Sequence, residues 1–436
     1  MKKRAKNLAI ALLIYSIVPI ALAKATDQLA LQIIFMAGGS GLLVLMLLRH
    51  GKFIISSFSD CIFLLYIGLI IASGIVAFLL PASKIDLWIY GVGLYYIPML
   101  CYYIGRNPAI RTSDLLQAIW ITNVVHLIIA IALYRFFPYP SWWLEVLEHI
   151  NYFLKRGAFD TGFELRMMSL HGCLSFGVLA ATTLLLSFRL FWSHPNLRHF
   201  LSILLATTGV FFSLQRSSWA AAILLTSAFV ALWLDPIARL RLPHQRLRFS
   251  FVHLLSYVLL GSMFLFGWIL LIPNLRAPSI VEEISYRVNL TQAIQSGLQE
   301  RGPELLSASW QLFLSYPMGV GIGQLGYIAH RLNISRDYPL ITDGNYAKIL
   351  GELGMLGLSF QLYFLIPALV LLFRVIPARY KNRDHYLTVS VIALIIVQYY
   401  MQAIGTNVWD LYYVNVVFWI LVGALVKEYN VVIRLG

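Results

Sequence analysis

Arginine side chains at the connections between apolar segments are the residues of this chain best suited to chemistry. Arg216 is the clearest case, because it lies between Ser213 and Trp219, where two apolar runs are joined by almost no loop. A planar guanidinium binds two phosphate oxygens at once, and its charge does not titrate away. Charge at the edge of a membrane segment is costly and indicates function by default. The chemistry predicted here is binding of a phosphate or diphosphate.

Further arginines are predicted on the same side of the membrane as Arg216. Arg166 precedes an apolar run, and the long polar stretch from Arg276 to Asn345 includes Arg287 and Arg301. Converging guanidinium groups would bind a diphosphate. The alternative is that each arginine extends to the membrane interface or pairs with a nearby carboxylate. That alternative is preferred for the other arginines of the stretch, and both interpretations stay open for Arg166, Arg287 and Arg301.

Acid, amide and imidazole groups accompany these arginines. Asp343 could accept a proton from a hydroxyl or orient it, although its ordinary pKa of about 3.9 makes it a weak base. It could equally cap the helix that follows, with Asn345 in the turn. His330 is a candidate replacement base, and His171, near Arg166, is a candidate ligand contact. No two histidines have metal-ligand spacing on one helix, so neither a metal nor a cofactor is expected.

The elements that must position these residues are membrane helices. The 436 residues are 60% hydrophobic and only 12% charged, with a mean hydropathy of +0.77, whereas soluble domains average about 25% charged residues. Apolar runs of about 20 residues match the thickness of a bilayer. The sequence therefore predicts an all-α polytopic membrane protein with about twelve transmembrane helices. They are expected near residues 8–23, 29–48, 61–80, 86–105, 114–136, 170–188, 199–214, 217–234, 250–273, 346–373, 386–403 and 410–426.

Basic residues occupy every second connection between these spans, which by the positive-inside rule predicts that both termini are cytoplasmic. The chain is interpreted as one transmembrane domain, 1–436, with two long outer loops, 137–169 and 274–345. The second is too long for a plain connector, and apolar residues at helical spacing predict helices over 280–299 and 303–314 across the membrane face. The net charge of +14 fits contacts with anionic membrane lipids and not nucleic acid.

Glycines cluster in two places near the end of the larger loop. Gly319, Gly321 and Gly323 alternate with apolar residues and permit tight turns or close approach to a ligand. Gly351, Gly354 and Gly357 fall on a predicted helix, where small residues usually allow close packing of helices. A histidine inside the fifth span, His126, is interpreted as structural.

The order of these motifs resembles that of the O-antigen ligase and Wzy-type polysaccharide polymerase superfamily. The resemblance covers roughly residues 160 to 360, and twelve spans with a large outer loop before the tenth helix are also similar to the family. The motifs that carry it are Arg166 with Gly172, Gln215 to Trp219, Arg301 ahead of Trp310, Pro317 to Gly323, and Asp343 to Gly357.

This resemblance implies a metal-independent, inverting glycosyltransferase of the GT-C class on the outer face of a bacterial cytoplasmic membrane. The implied donor is a glycan linked through diphosphate to undecaprenol, and the acceptor is a glycan or a lipid-linked glycan. The arginine that the family carries in its short hairpin corresponds to Arg216. Its large-loop arginine corresponds to Arg287 or Arg301.

One difference from the family pattern separates two activities. The ligases typically carry a histidine nine residues before the acid that corresponds to Glu352, whereas this chain has Asp343 there. That difference favours a polymerase of repeat units, with a chain-length regulator as a partner, over a ligase that transfers glycan to lipid A core. A transporter, in which the arginines line an anion path, is the alternative from a different class.

Overall fold

The computed structural model describes residues 7–17, 38–39, 41, 55–134, 167, 172–233, 302–326, 338, 344–378 and 383–435. Within these ranges the chain forms helices and turns and no β-strand. The α-helices, numbered α1 to α13 in chain order, are Asn7–Ile17, Phe58–Leu79, Ile85–Gly91, Tyr102–Arg106, Thr112–Tyr134, Gly172–Ser193, Leu197–Phe212, Arg216–Trp233, Gly302–Ser315, Asn345–Tyr363, Leu365–Ala378, Arg383–Gln402 and Tyr412–Leu435.

Six segments of the described chain are long and apolar enough to cross a membrane, which agrees with the prediction of a helical membrane protein. They lie in α2, α5, α6, the α10–α11 pair, α12 and α13, and the shorter apolar helices α1, α7 and α8 accompany them. The predicted spans 29–48 and 250–273 fall largely outside the described residues, as does the helix expected over 280–299. The helix expected over 303–314 is present as α9.

The predicted span 86–105 is helical but not one regular α-helix. A π-helix, Val92–Tyr96, and a 3-10 helix, Ile97–Cys101, separate α3 from α4. Pro98 lies in the 3-10 helix, where it lacks the N–H that a continuous α-helix would need. Two glycines let this segment pack on α13: a Cβ on Gly105 would meet the backbone of Ile420, and one on Gly423 would meet that of Tyr102.

The tenth predicted span begins within one residue of the expected position, and it is interrupted. Gly344 holds the N-cap position of α10 with φ of 87°. Asp343, the residue predicted as the cap, lies outside the described residues. Gly354 has φ of 67° and ψ of −168°, which breaks the helix where the sequence predicted regular packing. Only glycine adopts this backbone conformation without strain, so the break is specified by the residue.

Helix α13 lies at the centre of the molecule. Nearly every residue from Tyr413 to Val426 is buried, as expected for a helix that is apolar on all sides. By contrast, α2 leaves large apolar side chains such as Leu65, Ile75 and Phe78 exposed, which suits a surface that faces lipid. His126 is wholly buried and its Nε2 lies 2.9 Å from Ser16 Oγ, which confirms its structural role.

Candidate functional site

The connection between α7 and α8 reverses the chain within three residues. Leu214, at the turn, is fully buried with φ of 49°, an uncommon and strained value for a residue with a branched side chain. Ser213 Oγ donates to Val210 O at 2.7 Å and accepts from Gln215 N at 3.3 Å. This turn makes Arg216 the first residue of α8.

The side chains on either side of Arg216 are tied to the far end of α12. Gln215 Nε2 donates to Thr406 Oγ1 at 2.9 Å, and Gln215 Oε1 accepts from Ser218 Oγ at 2.9 Å. Ser218 Oγ in turn accepts from Gln402 Nε2 at 2.9 Å. These buried bonds fix the orientation of the first turn of α8.

Arg216 itself is partly exposed. The amino terminus of a helix carries a partial positive charge and unsatisfied N–H groups. The guanidinium of Arg216 adds to that positive potential, whereas acidic residues are the ones usually favoured at this end of a helix. An anion bound at this point would be stabilised by both.

Met167 brings a second part of the chain to this hairpin. Its side chain is fully buried and its N–H donates to Phe212 O, at the end of α7, at 2.8 Å. Arg166 directly precedes Met167 in the sequence. Met167 therefore lies at the Arg216 end of the bundle, one residue after Arg166 in the sequence.

The Gly319–Gly323 loop packs into the break of α10. Because the helix is interrupted at Gly354, the carbonyls of Gly351 and Glu352 accept from Val320 N at 3.0 Å and Gly321 N at 3.1 Å. Irregular backbone is tolerated within a membrane protein only where it is satisfied and buried. The Gly319–Gly323 loop and the glycine-containing part of α10, which are separate in the sequence, therefore pack against each other.

A buried charged cluster, formed by Lys348, Glu352 and Asp410, fixes this loop to the bundle. Lys348 Nζ lies 2.6 Å from Asp410 Oδ1 and 3.7 Å from Glu352 Oε2, and the three side chains are at most 5% exposed. Glu352 Oε1 accepts from Gly323 N at 3.0 Å and from Leu325 N at 3.2 Å. The ammonium also lies 3.5 Å from the centroid of the Tyr95 ring.

Burial raises the pKa of Asp410, which precedes α13, above its ordinary value, and the attraction of Lys348 lowers it only in part. The cost of removing charge from water thus outweighs the attraction even at short range. Lys348 is therefore the cation that offsets the charge of both carboxylates.

Asn345, predicted to contact substrate, lies at the start of α10 and is 1% exposed. Its Oδ1 accepts from Trp409 N at 3.1 Å, and its own N–H donates to Ala403 O at 3.0 Å. Its side chain therefore joins α10 to the turn between α12 and α13, the same turn that holds Gln215 through Thr406.

Of the predicted site residues, Arg216 and Asn345 are described, and the turn at 402–411 brings their two segments to one end of the bundle. The other six lie outside the described residues: Asp343, Arg287, Arg166, Arg301, His171 and His330. The sequence interpretation missed Lys348 and Asp410. The signal for Lys348 was its position four residues before Glu352 in an otherwise apolar helix. Asp410 carried no comparable local signal.

No protein-family model matches the chain, and no curated protein matches it. At one end of the bundle a guanidinium stands at a helix amino terminus, next to a rigid loop of buried hydrogen bonds. That arrangement can bind an anion and can hold it in a fixed position relative to the helices.

Proposed function

We propose that this protein is a membrane glycosyltransferase that extends or transfers undecaprenyl-diphosphate-linked glycan. In this proposal it has about twelve spans and a GT-C-like architecture, lies in a bacterial cytoplasmic membrane with both termini in the cytoplasm, and acts on the outer face. The first choice of activity is polymerisation of repeat units, in the manner of the Wzy-type polymerases that the sequence resembles.

The observation that supports this proposal most is the meeting of three separated motifs at one end of the bundle. The Arg216 hairpin, the Gly319–Gly323 loop and the start of α10 are far apart in the sequence. The hairpin and the start of α10 are joined through the 402–411 turn by the bonds of Gln215 to Thr406 and of Asn345 to Trp409. The loop is attached to α10 by the bond from Gly323 N to Glu352. A common active site requires such convergence, and unrelated loops would not need it.

The proposed reaction is a single displacement at the anomeric carbon of the donor glycan. The hydroxyl oxygen of the acceptor forms a bond to that carbon while the bond from carbon to the diphosphate oxygen breaks, and the electron pair leaves with the lipid diphosphate. The hydroxyl proton passes to a base, for which Asp343 is proposed and His330 is the alternative. The configuration at the anomeric carbon is inverted.

Arg216 is proposed to stabilise the leaving diphosphate, with Arg287 in a second catalytic role. Negative charge grows on the leaving oxygen in the transition state. A preorganised guanidinium at a partly dehydrated membrane edge therefore stabilises the transition state more than the ground state. Arg166, Arg301, His171 and Asn345 are proposed to bind the diphosphate or the glycan. This scheme requires neither a metal nor a cofactor.

A reconstitution experiment tests the proposal. The full-length protein in liposomes is supplied with an undecaprenyl-diphosphate-linked repeat unit, without nucleotide and in the presence of a chelator. The proposal predicts longer lipid-linked glycans and released undecaprenyl diphosphate. Transfer only to added lipid A core would indicate a ligase. Anion or glycolipid flux across the liposome without new glycosidic bonds would refute the enzyme and favour a transporter.

A further inference from the structure

A second charged region lies at the opposite end of the bundle from Arg216 and takes no part in the proposed reaction. A cavity of about 960 Å³ opens there between the connection at 107–114, the end of α6, the starts of α7 and α12, and the last turns of α13. Helices α5, α7 and α12 begin at this cavity, whereas α6 and α13 end near it, so helix dipoles of both signs meet there.

Arg189 is the most informative residue of the cavity lining. It is 8% exposed, and its Nη2 donates to Thr388 Oγ1 at 2.9 Å. Its Nε has no hydrogen-bond partner among the described residues, and no carboxylate of that part of the chain lies within 4 Å of its guanidinium. Asp384, in the first turn of α12, attracts the guanidinium without forming an ion pair at this distance. A buried, permanently charged group that no carboxylate contacts directly is costly, which indicates that an anion binds beside it.

Ser193 supplies a second donor on the same face of α6. It follows Arg189 by four residues, lines the same cavity, and its buried Oγ also lacks a hydrogen-bond partner within the described chain. Residues four apart on a helix lie one above the other. A hydroxyl and a guanidinium in this arrangement can donate to two oxygens of one anion.

Most of the other charged groups around the cavity are already engaged. Lys427 Nζ donates to Ile110 O at 2.8 Å. Glu428 accepts from Thr112 and lies 3.6 Å from His385 Nδ1. Two further acids of the lining, Asp114 and Asp384, lie in the first turns of α5 and α12, where the dipole of their own helix offsets their charge. Among the described residues of the lining, Arg189 is thus a buried charge that keeps a free donor, its Nε, and has no carboxylate in direct contact.

We propose that this cavity binds a phosphate group through Arg189 and Ser193. Phosphate has the oxygen spacing that a guanidinium fork binds with two bonds. The volume exceeds that of a bare phosphate and leaves room for a headgroup attached to it. The source of the phosphate is either an anionic lipid of the surrounding membrane or a free phosphate from solution. The proposal is independent of the glycosyltransferase assignment.

In the test, the purified full-length protein in a zwitterionic detergent is titrated with ligand, and the heat of binding is followed by calorimetry. One arm uses inorganic phosphate, and the other uses short-chain phosphatidylglycerol with short-chain phosphatidylcholine as the reference. Saturable binding of both phosphate and phosphatidylglycerol supports a general phosphate site. Binding of phosphatidylglycerol alone supports the same site with a lipid as the source. Absence of saturable binding in both arms overturns the proposal.

Three variants localise the binding. Arg189→Gln is expected to weaken it about tenfold or more, as for loss of one charge-assisted hydrogen bond. Arg198→Gln removes the same charge from an exposed position of α7 and is expected to bind as the wild type does. Should Arg189→Gln fail to fold, Ser193→Ala replaces it, with an expected loss of several-fold. Unchanged affinity in Ser193→Ala or in a folded Arg189→Gln contradicts the proposed site.

Discussion

At the scale of single residues, Lys348 lies buried between two carboxylates. Asp410 lies 2.6 Å from its ammonium and Glu352 lies 3.7 Å away. Glu352 Oε1 in turn accepts hydrogen bonds from the backbone N–H groups of Gly323 and Leu325. Lys348 therefore helps to position the glycine loop through Glu352. Lys348 is therefore a positioning residue, since it orients the loop without being placed near the leaving diphosphate.

Replacing Lys348 by Met is expected to destabilise the protein by about 3–5 kcal/mol, because it leaves two buried carboxylates without a counter-charge. Thermal unfolding in detergent measures the loss. Lys84→Met, at an exposed position near the start of α3, serves as the control and should change stability little. The double variant Lys348→Met with Asp410→Asn should recover part of the loss. Equal unfolding temperatures for Lys348→Met and Lys84→Met would contradict this role for the cluster.

The sequence draws attention to Arg216 and not to Asp410 for a physical reason. A single arginine between two apolar runs is visible because its charge conflicts with its neighbours in the chain. Asp410 also borders an apolar run, but its meaning depends on Lys348, which is sixty-two residues away in the sequence. A pairing between distant residues is decided by the packing of helices and leaves no local pattern.

At the scale of elements, hydropathy predicted which segments are helical and did not predict their backbone geometry. The spans near 61–80, 114–136 and 386–403 correspond to α2, α5 and α12 within a few residues. The spans near 86–105 and 346–373 contain the irregular segment around Pro98 and the break at Gly354. Apolar content decides whether a segment enters the bilayer, whereas single proline and glycine residues decide how its hydrogen bonds are arranged.

The break in α10 leads to a prediction about Gly354. Its φ of 67° disfavours any side chain, and a Cβ there would meet the backbone carbonyl of Pro317. Gly354→Ala is expected to destabilise the protein by about 3 kcal/mol, from backbone strain and displacement of the loop. Gly68→Ala is the matched control, because a Cβ at that position of α2 meets nothing within 4 Å.

Gly68→Ala should be neutral or stabilising by up to about 1 kcal/mol, since alanine favours a helix interior over glycine. Both variants are compared by thermal unfolding in the same detergent. If Gly354→Ala proved as stable as Gly68→Ala, the description of the break as a fixed joint with the glycine loop would be wrong.

At the scale of the whole molecule, the two ends of the bundle differ in what they hold. The Arg216 hairpin, the glycine loop and the 402–411 turn form one end, and the cavity at Arg189 lies at the other. Arg111, Arg198 and Arg374, in connections or at helix ends, belong to the second end, as the positive-inside rule predicts for a cytoplasmic surface. The Arg216 end is accordingly proposed to face outward.

This orientation predicts the accessibility of two positions. Gly405 lies in the exposed turn near the Arg216 end, and His194 is exposed in the connection between α6 and α7. Each is replaced by Cys in a chain whose three native cysteines are changed to Ala. A membrane-impermeant maleimide should label Gly405→Cys in intact cells with a permeable outer layer, and His194→Cys only after the inner membrane is opened. The reverse pattern would invert the proposed topology.

The most direct measurement of the central claim is glycan transfer by Arg216→Gln. The rate of release of undecaprenyl diphosphate from a lipid-linked donor is measured for the wild type, for Arg216→Gln and for Lys84→Gln, each shown to be folded by thermal unfolding. The account predicts that Lys84→Gln transfers at the wild-type rate and that Arg216→Gln is slower by about 100-fold or more, as for loss of one preorganised transition-state contact. A folded Arg216→Gln protein with the wild-type rate would show that Arg216 does not stabilise the leaving diphosphate.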